Sequence, residues 1–390
     1  MTAPRGPAHL RALRQANLTA VLLALASRPG SRAQLAQRTG LTKATVASLV
    51  EPLLAGRLLI EDLAEANGRG RPSHPLRFHP CAPVAIGAEV NVGYIAAATL
   101  TLDGRLQHFR RRDTDNRGRP AGDLLDELTA LAQSLYGEAA GPVLGAGLAV
   151  PGVVHERQVI RAPNLPQFVG TRPGEHLAAA LRLPIVETGN EASLAARAHL
   201  WPVGVTGGDF AYVSGEAGVG AGLVINGEVL RGARGFAGEF GHLVIEREGR
   251  PCTCGGRGCV ERYAGLRAML DASGRGDLPS FLHALESGEA AAVEAARAAG
   301  SALGVALASL LNLCDLPAVV LGGVYARLFA YLRPAVQEEL TSRVLADALR
   351  PTELRASELG DRAAVQGAAG IITQLACAQP HLLVGGGQPR

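Results

Sequence analysis

One histidine and three cysteines stand close together in the chain: His242, Cys252, Cys254 and Cys259, separated by nine, one and four residues. Three thiolates and one imidazole complete a tetrahedral zinc shell and leave no open position for a catalytic water. A structural zinc is therefore the reading, against a redox cluster or unrelated free thiols. Within Cys254-Gly255-Gly256-Arg257-Gly258-Cys259 the glycines let the chain turn back on a metal. Because Glu239-Phe240-Gly241 leads into His242, the same metal would fix the carboxylate of Glu239. The other cysteines, Cys81, Cys314 and Cys377, stand alone. They are expected to be buried small hydrophobes rather than disulfide partners.

A second set of residues suits nucleic acid. Residues 1–80 hold eleven Arg or Lys against four Asp or Glu, about +7, while the whole chain carries only +3. A basic head on a faintly acidic body implies a DNA-binding module attached to a part that binds another ligand. At 4% aromatics, base stacking is a poor candidate for holding the nucleic acid, which leaves charge and helix geometry. Leucine and valine spacing predicts a helix over 9–27, ended by Pro29-Gly30. Ser31 to Gln34 has the form of a capping box for a second helix that stops at Gly40. Thr42 then caps a third.

That third helix puts Val46, Leu49 and Val50 on one face and Lys43, Ala44, Thr45 and Ser48 on the other, near its start. The N-terminal residues of a recognition helix enter the major groove. Thr42, Lys43, Ala44, Thr45 and Ser48 are therefore candidate DNA contacts. Pro52 is expected to end or kink the helix. Two short strands, 58–61 and 75–78, bracket Asn67 to Ser73 as a wing. At its tip, Arg69 and Arg71 in Arg69-Gly70-Arg71-Pro72 are either a minor-groove hook or a solvated turn. The alternative for the whole head is a packing or dimerising unit.

The elements that must position the metal cluster lie in the larger part of the chain. Strands are predicted over 84–90, 94–102 and 105–110, a helix near 122–136, and a further strand in 145–154. A similar cycle restarts at Phe210, with strands 210–214, 222–226 and 318–323. Two α/β lobes with a cleft between them follow, as the 390-residue length and 47% apolar content allow. No run reaches the ~18 consecutive apolar residues of a membrane helix. The start lacks a signal-peptide core, so a cytoplasmic protein without a membrane span is expected.

The order of segments resembles the ROK family of repressors and sugar kinases over essentially the whole chain. The residues that carry the likeness are Ala149-Val-Pro-Gly-Val153, Ala162-Pro-Asn-Leu165, Gly189-Asn-Glu-Ala192, Gly218-Val-Gly220, Gly235 through His242, Cys252-x-Cys-x4-Cys259-x-Glu261, and Val320-Leu-Gly-Gly323. The Glu-x-Gly-His run together with the cysteine run is its most specific part. The resemblance implies a winged helix-turn-helix over 1–80. It also implies a two-lobed α/β domain over 81–390 of the actin/hexokinase-like type, with lobe one about 81–200 and lobe two about 201–390. It places a sugar in the cleft, held by Asn164, Asn190, Glu191, Glu239, His242 and Glu261. The repressor branch that this chain resembles is that of the xylose and N-acetylglucosamine types, and the Gly-Asn-Glu-Ala form looks most like the xylose repressors.

Departures from the kinase pattern bear on activity. Family kinases cradle ATP phosphates in an Asp-x-Gly-Gly-Thr hairpin, where this chain has Glu89-Val90-Asn91-Val92-Gly93. Glu216-Ala217 stand where a second phosphate loop has Gly-Thr, and a carboxylate there repels a triphosphate. Glu191 occupies the position of the catalytic Asp, a weak departure because one methylene does not abolish a base. The expectation is a non-catalytic, sugar-responsive repressor with structural zinc and no bound ATP. It would bind double-stranded operator DNA as a homodimer or dimer of dimers. An active sugar kinase with a DNA-binding head and a zinc-stabilised assembly factor without DNA binding are the competing readings.

Overall fold

The computed structural model describes residues 7–63, 74–201 and 208–384. The head begins with α1 (Pro7–Ser27), α2 (Arg32–Thr39) and α3 (Lys43–Ala55). It closes with an antiparallel pair, β1 (Leu59–Glu61) and β2 (Leu76–Phe78), in which Leu59 opposes Phe78. Local chemistry sets the boundaries. Ser31 and Gln34 form the capping box, and Gly40 ends α2 at φ 70°. Thr42 caps α3 by accepting from the Thr45 amide at 3.1 Å. Arg38 ties the α1–α2 turn, its Nη1 donating to the carbonyls of Ala24 and Arg28.

Of the two outcomes expected at Pro52, an end is not what the structure has: α3 continues to Ala55 and ends at Gly56, whose amide bonds to the Pro52 carbonyl at 2.9 Å. Ser48 and Pro52 both lie on the exposed side, where water can satisfy the carbonyl that proline leaves without a donor.

Lobe one runs β3 (Val84–Val90), β4 (Tyr94–Thr101), β5 (Leu106–Asp113), α4 (Ala121–Tyr136), β6 (Val143–Val150), β7 (Val153–His155), β8 (Gln158–Arg161), α5 (Pro173–Leu181), β9 (Val186–Asn190) and α6 (Glu191–Ala198). The single strand expected over 145–154 is broken at Pro151-Gly152, because Gly152 takes φ 116°. Lobe two runs β10 (Phe210–Gly215), β11 (Val219–Ile225), β12 (Glu228–Val229), α7 (Glu261–Ala264), α8 (Leu266–Ser273), α9 (Leu278–Glu286), α10 (Ala290–Cys314), β13 (Ala318–Gly323), α11 (Val324–Arg327), α12 (Phe329–Arg343) and β14 (Glu353–Ala356). The last long helix is α13 (Ala363–Ala378).

The two five-stranded sheets share one topology. Their orders are β5-β4-β3-β6-β9 and β12-β11-β10-β13-β14. In each, three strands form an antiparallel meander and two more join in parallel on the far side of the first. Every residue of β3 and of β13 is buried, as befits strands covered on both faces. α10 is apolar and long enough to cross a membrane, yet it is the core helix of lobe two. Gly300 and Gly304 let it lie close against α12.

The expected lobe boundary fails at the C-terminus. α13 returns from lobe two to cover the first sheet, where Gly87 and Gly147 lie against the carbonyls of Val365 and Ala368, and Ala369 and Ile372 join Ala85 and Leu100 in one cluster. The reason is packing: without this helix the second face of β3 and β6 would be bare. The far end of α13 goes further, and Ala376 and Cys377 are buried in the same core as Val21, Leu22, Leu35, Val50 and Leu76 of the head. Thr19 of α1 also donates to the Ala378 carbonyl at 3.1 Å.

Candidate ligand cleft and metal centre

Asn164, Asn190, Glu191, Glu239, His242 and Glu261 all line one cleft between the lobes. Asn190 is set by its own helix: its Oδ1 caps α6, accepting from the amides of Ala192 and Ser193 at 2.9 and 3.1 Å. Its Nδ2 is then turned back to donate to the Gly152 carbonyl and to Glu191 Oε2, both at 3.0 Å. Glu191, the first residue of α6, lies deep enough that burial lifts its carboxyl to about 8, with Glu89 and Glu239 adding repulsion.

From lobe two, Glu261 opens α7 and accepts from the Val219 amide at 2.9 Å. That hydrogen bond needs a glycine beside it. A Cβ at Gly218 would stand 2.7 Å from Glu261 Oε2 and 3.0 Å from Asn164 Nδ2. Glu239 enters from the turn before His242, and burial raises its carboxyl above the ordinary range against the pull of His242 and Arg161. The carboxyl groups of Glu191, Glu239 and Glu261 and the amides of Asn164 and Asn190 thus surround a small polar space. These are the donor and acceptor types that fork onto adjacent hydroxyls.

His242 joins this cleft to the cysteine cluster. Its Nε2 is 3.8 Å from Glu239 Oε2, and its Nδ1 is 3.8 Å from Cys252 Sγ. The ligand atoms of His242, Cys252, Cys254 and Cys259 all lie within 4.8 Å of one another, and Cys254 Sγ is 3.7 Å from Cys259 Sγ. A tetrahedron with bonds of about 2.3 Å has edges of about 3.8 Å, so the donor set fits zinc in both chemistry and size. The loop is braced by the bridges Val244 to Cys259 and Pro251 to Arg257. Gly258, at φ 72°, is pressed against the carbonyl of Glu246, where no side chain fits.

The two turns that would hold nucleotide phosphates are otherwise occupied. In the β3–β4 turn Asn91 is buried, its Nδ2 donating to Glu89 Oε1 and Tyr94 Oη, both at 3.2 Å. Asn91 Oδ1 takes the Val92 amide at 2.7 Å, so a backbone donor that a phosphate would need is already used. In the β10–β11 turn the Glu216 amide bonds to the Gly218 carbonyl at 2.9 Å. The Glu216 carboxyl is itself pushed up to about 7 by burial, with Glu89 and Asp361 adding to the shift.

Sequence reasoning does not single out three further residues of the cleft as site residues. Arg161 lines it and donates from Nη2 to the Cys254 carbonyl at 3.0 Å, linking β8 to the metal loop. Asn91 and Glu216 line it too. The candidate DNA contacts lie on the first turns of α3. Thr42, Lys43, Ala44 and Ser48 are exposed, whereas Thr45 is half-buried and its hydroxyl pairs with that of Thr42 at 2.9 Å. Arg69 and Arg71 lie outside the described residues. All cysteines are free. Of the three solitary ones only Cys377 is buried as expected; Cys314 is half-buried at the end of α10, and Cys81 is exposed because it sits in the turn leading out of the head.

Residues 85–375 match the model of the ROK family. The chain belongs to the ROK family. Its similarity to a xylose repressor of Bacillus spizizenii is 29% identity over 374 residues, covering 90% of this chain and 92% of that one. Among solved ROK structures, a family transcriptional regulator described as a homologue of the Escherichia coli MLC protein superposes with a TM-score of 0.77 at 24% identity. It covers 96% of this chain and 100% of that one. A ROK glucokinase from Streptomyces griseus, solved with glucose and AMPPNP, gives a TM-score of 0.65 at 24% identity, covering 74% of this chain and 98% of its own. The kinase fold therefore accounts for three-quarters of this chain, and the regulator fold for nearly all of it.

Proposed function

We propose that the protein is a sugar-responsive, DNA-binding transcriptional repressor whose kinase-like body senses sugar without phosphorylating it. The observation that carries this reading is the shared core of head and body, in which α13, packed along the lobe-one sheet, ends among the helices of the head. A ligand that moves one lobe against the other can then move the head. Similarity to xylose repressors along both parts of the chain supports the same reading and makes pentoses and hexoses the first effectors to try.

In this account residues 1–80 are the winged helix-turn-helix, with Thr42, Lys43, Ala44, Thr45 and Ser48 toward the operator and Arg69 and Arg71 on the wing. Residues 81–390 are the sensor and the dimerising part, acting in the cytoplasm as a homodimer or dimer of dimers. A structural zinc on His242, Cys252, Cys254 and Cys259 orients His242 and, through it, Glu239. Asn164, Asn190, Glu191, Glu239, His242 and Glu261 hold the sugar hydroxyls.

Glu191 favours the kinase reading on one count, since a carboxyl lifted to about 8 is suited to general-base work. Against it stand the occupied amide of Val92 and the carboxylate of Glu216 in the two phosphate turns. The test has two arms. A screen of simple sugars by thermal shift should find a ligand that raises the melting temperature by mass action. With that sugar and ATP, a coupled assay should detect no ADP release, and robust turnover would overturn the non-catalytic reading.

A further inference from the structure

A second cavity, of about 190 Å³, lies between the β7–β8 hairpin and α6 of lobe one and the loop from Arg231 to Ala237 of lobe two. Among the described residues only Asn190 lines both this cavity and the sugar cleft, so the two spaces are separate. The lobes touch at its rim. Gly235, at φ 79°, rests against the Val154 carbonyl, where a Cβ would stand 2.8 Å from the oxygen.

Arginine sets the character of this space. Arg197 of α6 and Arg231 of the lobe-two loop both line it, and neither forms an ion pair among the described residues. Arg197 is half-buried, and its Nη1 donates to Gln374 Oε1 of α13 at 2.5 Å. Burial, and then the charge of Arg231, pull the Arg197 guanidinium below the ordinary arginine value, while Glu228 pulls the other way. The carboxylates at the rim do not answer these charges. Glu187 is held by Arg157 Nη2 at 2.9 Å, and Glu156 is exposed at the tip of the hairpin. Glu156 and Arg157 take φ 47° and 64°, conformations that in a two-residue hairpin turn ordinarily fall to Asn and Gly. That turn sets Arg157 against Glu187 and leaves two guanidiniums on one cavity without an anion. Like charges gathered in a partly desolvated space are unfavourable until an anion joins them.

We propose that this cavity binds a small phosphate-type oxyanion, clamped between the guanidiniums of Arg197 and Arg231. Guanidinium forks match the oxygens of a phosphate, and two of them from two lobes suit a dianion. His155 and Ser193 line the same space and supply further donors. One water needs only about 10–15 Å³ of such space, so the cavity has room for a phosphate on a short carbon skeleton. Arg197 also holds Gln374 on the helix that ends in the core of the head, so the anion pins the lobes beside α13. This site uses none of the zinc ligands and does not depend on the repressor reading.

The test titrates the zinc-loaded, full-length protein with inorganic phosphate and, separately, with glycerol phosphate by isothermal titration calorimetry, with NaCl at matched ionic strength as control. One anion per chain should bind saturably. Tighter binding of glycerol phosphate supports a site for a phosphorylated small molecule, and equal or tighter binding of inorganic phosphate supports a site for the free ion. Arg231→Ala and Arg197→Gln should each weaken binding by about tenfold or more, while Arg234→Ala, exposed in the same loop and outside the cavity lining, leaves it unchanged. Arg231 is exposed, so its variant keeps the test open should Arg197→Gln not fold. Absence of saturable binding of either anion, or equal affinity in wild type and Arg231→Ala, would overturn the site.

Discussion

Gly367 of α13 rests on the carbonyl oxygen of Leu194 in α6, so closely that a methyl group at 367 would overlap it. α6 starts in the cleft with Glu191, and α13 ends in the core of the head. The contact therefore joins the candidate sugar site to the head by two helices in backbone contact. Gly367→Ala must push them apart, and overpacking of this kind costs about 1–3 kcal/mol. Denaturant unfolding should show that drop, whereas Gly122→Ala, with open space around it, should stay within about 0.5 kcal/mol of wild type. Equal stability of the two variants would mean that the helices are not held in register at this point.

The metal centre makes a prediction of content. Cys254→Ser removes one sulfur from the four-ligand set, and the purified variant should hold much less than one zinc per chain by elemental analysis. Its response to sugar should fall with the zinc, because His242 reaches both Cys252 and Glu239. Full zinc in the variant contradicts the ligand assignment.

Stability should decline as pH rises through the neutral range. Burial raises Glu191 to about 8 and Glu216 and Glu89 to about 7, each from 4.5. Between those values the folded protein holds protons that the unfolded chain has released, so the contribution of these groups to stability is full below about pH 4.5 and is lost as pH climbs through about 7 to about 8. Glu191→Gln should flatten this decline in melting curves taken from pH 5 to pH 8. A wild-type curve that rises over the same interval would show that these carboxyls are ionised and paired in solution.

Much of this is legible in the sequence, and the failures have physical causes. Ser31 and Thr42 act locally, through side-chain to backbone bonds within three residues, and Gly40 through its left-handed backbone, so the helix boundaries they set can be read directly. The metal cluster is legible because its donors are rare and closely spaced. Pro52 does not end the helix because in an exposed turn the Ser48 carbonyl that it leaves without a donor faces water. The return of α13 to lobe one is invisible, since an alanine-rich apolar helix does not declare which sheet it will cover. Along the chain Glu89 and Glu216 register only as departures from phosphate-binding turns; that they crowd one cavity with Glu191 depends on the fold bringing two separate β-turns together.

On the head, Lys43→Ala should weaken binding to specific and to random duplex DNA alike. If Lys43 neutralises a single phosphate, the variant should also flatten the dependence of log affinity on log salt by about 0.9. Arg71→Ala should do the same if the wing reaches DNA. An unchanged slope in Lys43→Ala would take the start of α3 out of the interface.

The central claim, that the cleft is the sensor for the head, is tested most directly by Glu239→Ala. Operator duplexes selected from random DNA by the wild-type protein are titrated with wild type and variant, each with and without the sugar found by thermal shift. The variant should bind operator with near wild-type affinity and fail to let go when sugar is added. Wild type should weaken by about 5- to 150-fold under the same sugar, the range of an ordinary allosteric coupling. Release of Glu239→Ala as ready as that of wild type would contradict the account.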